Sequence, residues 1–388
     1  MQIRGRRITI AGSAARDADP VVLNYAHALT EQLVTSLLAD GALFSAGVGK
    51  EPRRMEDFNQ PAIIFDWTVL EALGNGLKDG RTKATTPQGH LLATITTSKT
   101  SSQIPESRQN LWTELVESQA VLIRSVEPGW TSGAIRRQMQ TELGDILIAI
   151  SGGEGVEHLA KEFALQGKPV IPLDLQLGSS SKDGTGGAAK LFGQMRAHPE
   201  RFINLTNPSS AGALLTQLET GQGKTPSEQV VTALIGLIKA LRPPKAFYVR
   251  LLNNKMPDYA EVEGYFRHVV DKVVSDFGYE IIEMGKAVSS SAWMDVQIFE
   301  MIHNAGVVIV DLTGVRPNCF TEMGYAFGRG RKVLITAKEG TAIPFDTSTV
   351  EARLWSPAKS AEESVGELQL YWQRNIDRPP LVNPKNII

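Results

Sequence analysis

Short apolar runs rich in β-branched residues alternate along the chain with longer segments in which apolar residues recur every three or four positions. This alternation predicts βαβ units, in which parallel strands form a sheet and the connecting helices cover both of its faces. In the first half of the chain the strand-like runs are RITIAGS (7–13), ALFSAGV (42–48), HLLATITT (90–97), AVLIRSV (120–126), DILIAIS (145–151) and KPVIPLD (168–174). They predict one doubly wound domain over residues 1–205.

The alternation is interrupted and then resumes. A polar stretch leads to an apolar helix, VVTALIGLIKAL, which must end at Arg242-Pro243-Pro244 because proline cannot continue it. Strand-like runs return as KAFYVRLL (245–252), YEIIEM (279–284), GVVIVDL (306–312) and KVLITA (332–337). The predicted fold class is therefore α/β, with two Rossmann-like, doubly wound parallel-sheet domains joined by a helical linker at 206–244. The second domain covers 245–388.

Composition and charge narrow the possible functions. The 388 residues include 40 Lys and Arg against 42 Asp and Glu, with no long run of one sign, so direct nucleic-acid binding is not expected. A single cysteine and six scattered histidines predict neither a disulfide nor a metal site. The chain shows neither a signal-peptide pattern at its start nor an apolar run of membrane-spanning length. We expect a cytoplasmic protein without membrane contact.

Glycine-bearing turns follow several of the predicted strands. In an open parallel sheet such turns lie at the carboxyl edge, where glycine lets backbone N–H groups approach a phosphate. They predict a nucleotide crevice in the first domain, although βα turns favour glycine for conformational reasons as well. The candidate ligand-binding residues are Gly12, Ser13, Gly47, Gly152, Gly153 and Gly155. A second glycine-rich sequence, GQGKT (221–225), lacks the first glycine of a P-loop and a preceding strand, so we reject it.

One segment resembles the SLOG superfamily of Rossmann-like nucleotide-binding domains: DILIAISGGEGVEHLAKEFALQGKPVIPL, which includes a glycine turn between a strand and a helix. It also resembles the STALD variants found beside sirtuin and TIR effectors. The resemblance covers about residues 5–205. SLOG enzymes that cleave cytokinin nucleotides have a PGGxGT pattern, whereas this chain has Ser151 in place of Pro and Val156 in place of Thr. The resemblance therefore implies a domain that binds a nucleotide signal without turning it over.

The segment VVIVDLTGVRPNCFTEMGYAFGRGRKVLIT (307–336) is the strongest chemical signal in the second half. A buried strand delivers Asp311 to the carboxyl edge of the sheet, and Glu322 lies on the following helix. Two carboxylates in one pocket can divide labour: one orients polar groups, and the other either attacks the anomeric carbon or stabilises a sugar cation there. Alternatively, Asp311 caps the loop and Glu322 only favours the positive end of the helix.

The same segment is similar to the nucleoside 2-deoxyribosyltransferase superfamily and its TIR-like relatives, over about residues 245–350. The motif Glu322-Met323-Gly324-Tyr325-Ala326 matches the family helix that carries the catalytic glutamate, so the resemblance implies that role for Glu322. It also implies substrate-binding roles for Tyr248, Asp295 and Asp311. Arg316 and Asn318, on the loop that precedes Glu322, are candidates to contact phosphate or ribose, although an exposed loop arginine is usually only solvated. The DLTGVRPN loop is typical of the TIR-like branch, whose members hydrolyse N-glycosidic bonds, notably that of NAD.

Together the two resemblances imply an NAD+ glycohydrolase effector of an anti-phage defence system, with NAD+ as substrate and no cofactor. The first domain would sense a cyclic ADP-ribose isomer or a cyclic oligonucleotide, and a homo-oligomer is expected because TIR-like sites are often completed between subunits. Two alternatives stay open. One is a nucleoside or nucleotide N-glycosidase or 2-deoxyribosyltransferase, and the other is a non-catalytic nucleotide-binding regulator.

Overall fold

The computed structural model describes residues 1–178, 186–283, 294–344, 350–379 and 381, and the side chains at 294 and 295 lie outside this description. Two compact units divide between Arg242 and Pro243; the second also includes residues 87–89. Each unit is an α/β fold built on a parallel sheet, so the predicted fold class is confirmed. In the part of the chain that is described, no helix is both long and apolar enough to span a membrane.

The first unit alternates strands and helices along most of its length. Its strands are β1 (Arg7–Ala11), β2 (Leu43–Ser45), β3 (Thr85–Thr86), β4 (Gly89–His90), β5 (Leu92–Thr96), β6 (Val121–Ser125), β7 (Ile146–Ala149) and β8 (Val170–Pro172). Its helices are α1 (Pro20–Ala39), α2 (Asp66–Lys78), α3 (Thr100–Gln103), α4 (Glu106–Glu117), α5 (Ser132–Leu143), α6 (Glu154–Leu165), α7 (Ala188–Ala197), α8 (Ala211–Gln217) and α9 (Ser227–Ala240). The main sheet has the order β6-β5-β2-β1-β7-β8, with every pair parallel.

Helix α1 shows how local sequence fixes these elements. Asp19 accepts hydrogen bonds from the backbone N–H groups of Val21 and Val22, and Pro20 supplies the first helical residue. The buried face of α1 packs against α9, whose own apolar face is buried in the same core. The segment 206–244, predicted from sequence as a linker, thus contributes α8 and α9 to the first unit.

The second unit repeats the alternation with fewer elements. Its strands are β9 (Lys245–Val249), β10 (Glu280–Ile282), β11 (Val307–Asp311), β12 (Lys332–Lys338) and β13 (Ala352–Trp355). Its helices are α10 (Tyr259–Tyr265), α11 (Asp271–Asp276), α12 (Met294–His303), α13 (Pro317–Gly328) and α14 (Ala361–Asn375), with one π turn at Phe266–Val270 between α10 and α11. The sheet order is β10-β9-β11-β12-β13, again parallel throughout. Helices α12 and α13 cover one face, and α10, α11 and α14 cover the other.

Candidate functional site

The strand order marks where each unit can hold a ligand. In the first sheet the chain leaves β1 on one side toward β2 and later returns on its other side as β7. In the second sheet the same reversal separates β9 from β11. Connecting loops diverge at such switch points, so the carboxyl ends of the two strands flank a crevice. The candidate sites are therefore the carboxyl edges between β1 and β7 and between β9 and β11.

Asp311 ends β11, a strand in which all five residues are buried. Its carboxylate accepts hydrogen bonds from the Thr313 backbone N–H at 3.1 Å, the Thr336 hydroxyl at 2.8 Å and the Trp355 indole N–H at 2.9 Å. The side chain is fully buried, and this burial raises its pKa although the three donors oppose the shift. In this arrangement Asp311 ties the loop after β11 to β12 and β13 and is enclosed by protein.

The loop after β11 presents two of the predicted binding residues at the edge. Gly314 and Val315 have positive φ angles, and the loop ends at Arg316, which directly precedes α13. Thr313 accepts the Lys338 backbone N–H at 2.9 Å, so the loop is held at its base as well. Arg316 is half-buried and Asn318 is exposed. Both side chains therefore start from an anchored backbone at the carboxyl edge.

Glu322 is half-buried on α13, beside the buried stripe formed by Cys319, Met323 and Ala326. It is the sixth residue of the helix, about 7.5 Å along the axis from the first at 1.5 Å per residue. The helix dipole acts mainly within the first turn, so a preference for the helix N-terminus explains this glutamate poorly. Burial raises the pKa of the Cys319 thiol to about 12, and the charges of Glu322 and Asp311 add to the shift. Cys319 is thus a protonated thiol and a poor nucleophile.

Helices α12 and α13 meet through an edge-to-face contact between Phe299 and Tyr325, with ring centroids 4.7 Å apart. Both helices follow the parallel strands in the reverse direction, so both begin at the carboxyl edge. Position 295 precedes Phe299 by one turn, and Glu322 precedes Tyr325 by three residues. The backbone therefore brings the Asp295 position and Glu322 to the same side of the Phe299–Tyr325 contact, the side toward the helix N-termini.

Tyr248 is not brought to this edge. It is 2% exposed in the core beneath α10 and α11, and its hydroxyl donates to Asp271 at 3.1 Å. Arg250, two residues later, was not among the predicted residues although it directly follows an apolar strand. Its buried guanidinium donates to Glu263 at 2.6 Å and lies 5.0 Å from the centre of the Phe266 ring. The signal that could have identified Arg250 is a charged residue immediately after a strand at a switch point.

In the first unit the backbones at the ends of β1 and β7 touch. Gly12 has φ +148°, and a Cβ there would lie 1.7 Å from the Ile150 carbonyl oxygen. The N–H of Gly152, itself at φ +87°, donates to the Ser13 carbonyl at 2.8 Å. This close approach requires glycine at position 12, whereas at position 152 glycine is favoured by the positive φ and by the nearby Val156 side chain. Gly12, Ser13 and Gly152 are thereby brought together at the switch point, and their role in ligand binding stays a prediction.

The turn after β7, residues 151–155, has one part that is covered by the protein and one part that is open. A Cβ at Gly187 would lie 1.9 Å from the Gly152 carbonyl oxygen, so the start of α7 packs directly on Gly152. Gly153 is the N-cap of α6, and Gly155 in the first turn has open space where its Cβ would be. Within this turn, open space is therefore shown at Gly155.

The backbone N–H of Gly47, a predicted ligand-binding residue, is already hydrogen-bonded to a carboxylate of the protein. The acceptor is Asp66, and a Cβ at Gly47 would meet the same carboxylate at 2.7 Å. Asp66 is half-buried, and desolvation raises the pKa of its carboxyl, while the Gly47 bond and the charge of Arg136 oppose that rise. Arg136, absent from the predicted residues, therefore lies close enough to act on this turn. Within the described ranges, no group of three or more His, Cys, Asp or Glu side chains is arranged to hold a metal.

Comparison with known proteins bears on the first unit. A family model described as "ATP nucleosidase Cap17-like, N-terminal" matches residues 3–238, more than half of the chain. The matched region coincides closely with the first compact unit. The chain belongs to this family.

Two curated relatives named ATP nucleosidase Cap17, from Escherichia coli strain KTE188 and from Escherichia coli, are each 24% identical to this chain over 213 residues. The alignment covers 55% of this chain and 40% of each relative, so the match spans less than half of their length. The family description refers to the N-terminal part of such proteins, and the family match ends before the second unit begins. The SLOG and TIR-like resemblances stay predictions.

Proposed function

We propose that this protein is an N-glycosidic bond hydrolase of anti-phage defence that acts on NAD+ at the carboxyl edge of the second sheet, with Glu322 as the catalytic carboxylate. The position of Glu322 carries the proposal. It is a half-buried carboxylate beyond the first turn of α13, the helix that follows β11, and it lies one turn from a cysteine that stays protonated. The similarity of the EMGYA motif to TIR-like helices supplies the substrate class.

The chemistry fits a site built from carboxylates. When the bond between ribose C1′ and the nicotinamide nitrogen breaks, its electron pair leaves with nicotinamide, which becomes neutral, so a strong general acid is not needed. The ribose is left as an oxocarbenium ion, which a carboxylate in a partly desolvated pocket stabilises. Water then adds to C1′ and releases a proton, giving ADP-ribose.

Supporting residues have separate parts in this proposal. Arg316 and Asn318 would contact the pyrophosphate or ribose from the anchored loop, and Asp295 would add a second carboxylate from α12. Asp311 would act as a positioning residue, because its carboxylate is already enclosed by three donors. Tyr248 would stabilise the strand from within the core, since its hydroxyl is bonded to Asp271.

The first unit is proposed to bind the activating nucleotide, a cyclic ADP-ribose isomer or a cyclic oligonucleotide. The open space at Gly155, in the first turn of α6, supports an anion site at this helix N-terminus, since helix N-termini favour negative charge. Ligand-dependent homo-oligomerisation is the proposed link between binding and turnover. Size-exclusion chromatography with light scattering, run with and without each nucleotide, tests that link directly.

NAD+ loss and nicotinamide release by the purified chain test the central proposal. The reactions include a panel of cyclic oligonucleotides and cyclic ADP-ribose isomers, and they compare the native protein with Glu322→Gln and with Glu300→Gln. Glu300 is an exposed glutamate on α12, so its variant is a matched control for the loss of one helical carboxylate. We expect turnover in the native protein and in Glu300→Gln, and a loss of at least about 100-fold in Glu322→Gln. Equal turnover in all three would exclude Glu322 as the catalytic carboxylate.

ATP is the second candidate substrate, because the curated relatives are named ATP nucleosidases. Adenine release from ATP, measured in the same samples by chromatography, distinguishes the two substrates. Adenine without nicotinamide would favour nucleotide N-glycosidase activity over the NADase proposal. Nucleotide binding without either product would favour the non-catalytic regulator.

A further inference from the structure

A groove lies on the first unit beside the edge strand β8, between helices α6 and α7. One wall is a single face of α6, formed by residues at helical spacing: Glu157, Ala160, Lys161 and Ala164. The facing wall comes from α7 and the turn that follows it, through Leu191, Gln194, His198 and Arg201. Val170 of β8 and Phe202 also line it. None of the predicted glycine ligands belongs to this groove.

The gap has a simple origin in side-chain size. Helix α6 presents Ala160 and Ala164 to the groove, while Leu191 on α7 faces them. Two alanines opposite one leucine leave space that larger side chains would fill, and the cavity measures about 440 Å³. Cavities of roughly 300–1,000 Å³ are the usual size of small-molecule sites. Val170 and Leu191 are buried and Phe202 is half-buried, so part of this lining is apolar.

Two positively charged side chains lie at the rim of the groove. Among the described residues, the side chains of Lys161 and Arg201 have neither an ion pair nor a hydrogen-bond partner, and the two belong to opposite walls. The acidic lining residue is already engaged, because Glu157 accepts the Gly187 N–H and the Lys190 ammonium, both at 2.9 Å. The His198 ring faces Glu200 at 3.5 Å. Lys161 and Arg201, which have no ionic partner among the described residues, thus lie at the edge of a partly apolar cavity.

We propose that this groove is a second nucleotide site, which takes a mononucleotide-sized anion with a flat base. The phosphate would lie between Lys161 and Arg201, where the guanidinium fork and the ammonium both donate to its oxygens. The base would lie against Leu191 and Phe202, whose ring offers a stacking face. Gln194, on the same wall, supplies an amide for the edge of the base. This inference is independent of any activity of the second unit.

Isothermal titration of the full chain with adenosine 5′-monophosphate tests the proposal, with adenosine and ribose 5-phosphate as partial ligands. The groove is altered by Lys161→Ala combined with Arg201→Ala, and separately by Ala164→Trp. Ala164 is exposed, so a tryptophan there fills the open groove without overpacking the core. The control is Lys83→Ala, which removes an exposed lysine outside the groove. Thermal melting of each variant reports whether it is folded.

We expect the native protein and Lys83→Ala to bind the mononucleotide, and both groove variants to bind at least about tenfold more weakly or to lose one site from the stoichiometry. Adenosine and ribose 5-phosphate should each bind more weakly than the intact nucleotide. Failure of the native protein to bind would overturn the proposal. Unchanged binding in folded groove variants would overturn it too, because it would assign the nucleotide to the switch point.

Discussion

Replacing Asp311 by asparagine separates a positioning role from direct substrate contact. The carboxylate is buried and accepts three hydrogen bonds, one at Oδ1 from the Thr313 N–H and two at Oδ2 from Thr336 and Trp355. Asparagine has the same shape but only one acceptor oxygen. In the amide orientation that costs less stability, this oxygen accepts the hydrogen bonds from Thr336 and Trp355. The amide nitrogen then faces the Thr313 N–H, so that two donors meet.

One buried backbone donor is then left without an acceptor, which costs about 1–3 kcal/mol. The opposite orientation is worse, because the Trp355 N–H loses its acceptor and Thr336 must turn to the Val310 carbonyl at 3.5 Å. Asp311→Ala removes all three acceptor contacts and leaves a cavity, so its cost should exceed about 3 kcal/mol. The expected order of stability is native, then Asp311→Asn, then Asp311→Ala.

Hydrogen exchange followed by mass spectrometry measures the local stability of the second unit separately, within the full-length chain. Peptides covering β12 and β13 should exchange roughly 5- to 150-fold faster in Asp311→Asn, the equivalent of about 1–3 kcal/mol, and faster again in Asp311→Ala. Peptides from β1 and β7 serve as the internal control and should not change. If turnover is lost while exchange stays at the native rate, Asp311 acts on the substrate directly and the positioning argument is refuted.

Three further substitutions test separate parts of the structure. Gly12→Ala should destabilise the first unit by about 3 kcal/mol or more, seen as a lower melting temperature, because its Cβ would overlap the Ile150 carbonyl. Iodoacetamide should label Cys319 only on unfolding at pH 8, since a pKa of about 12 leaves a thiolate fraction of about 10⁻⁴, and Cys319→Ser should keep turnover. Tyr248→Phe should cost about 0.5–1.5 kcal/mol for the bond to Asp271 and leave KM unchanged; a raised KM would contradict its core position.

Hydrophobic periodicity predicted the fold class because parallel strands buried on both faces give continuous apolar runs. β11 shows this most clearly, since VVIVD is buried at every position. Periodicity did not reveal where α9 belongs. An apolar helix needs a partner, and the sequence does not say which one, whereas the structure packs α9 against α1.

At the candidate sites the sequence predicted positions better than contacts. Strand ends brought Gly12 and Gly152 together because parallel strands share a carboxyl edge. The same rule gave no warning that Asp311 would turn inward to Trp355, a residue 44 positions later in the chain. It also missed Arg136, whose relation to Asp66 depends on packing between distant elements.

The match to the Cap17-like family and the Glu322 motif fall on different units, and this separates the two activities in the proposal. The family match ends at residue 238, within a few residues of the boundary after Arg242, so it describes a structural module and not an arbitrary stretch. The name of the curated relatives describes whole proteins, of which the alignment covers 40%. Support for catalysis at Glu322 therefore has to come from the second unit, which the family match does not include. Adenine release that survives Glu322→Gln would assign ATP cleavage to the first unit, whereas loss of both products would give the second unit the reaction and leave the first as its nucleotide sensor.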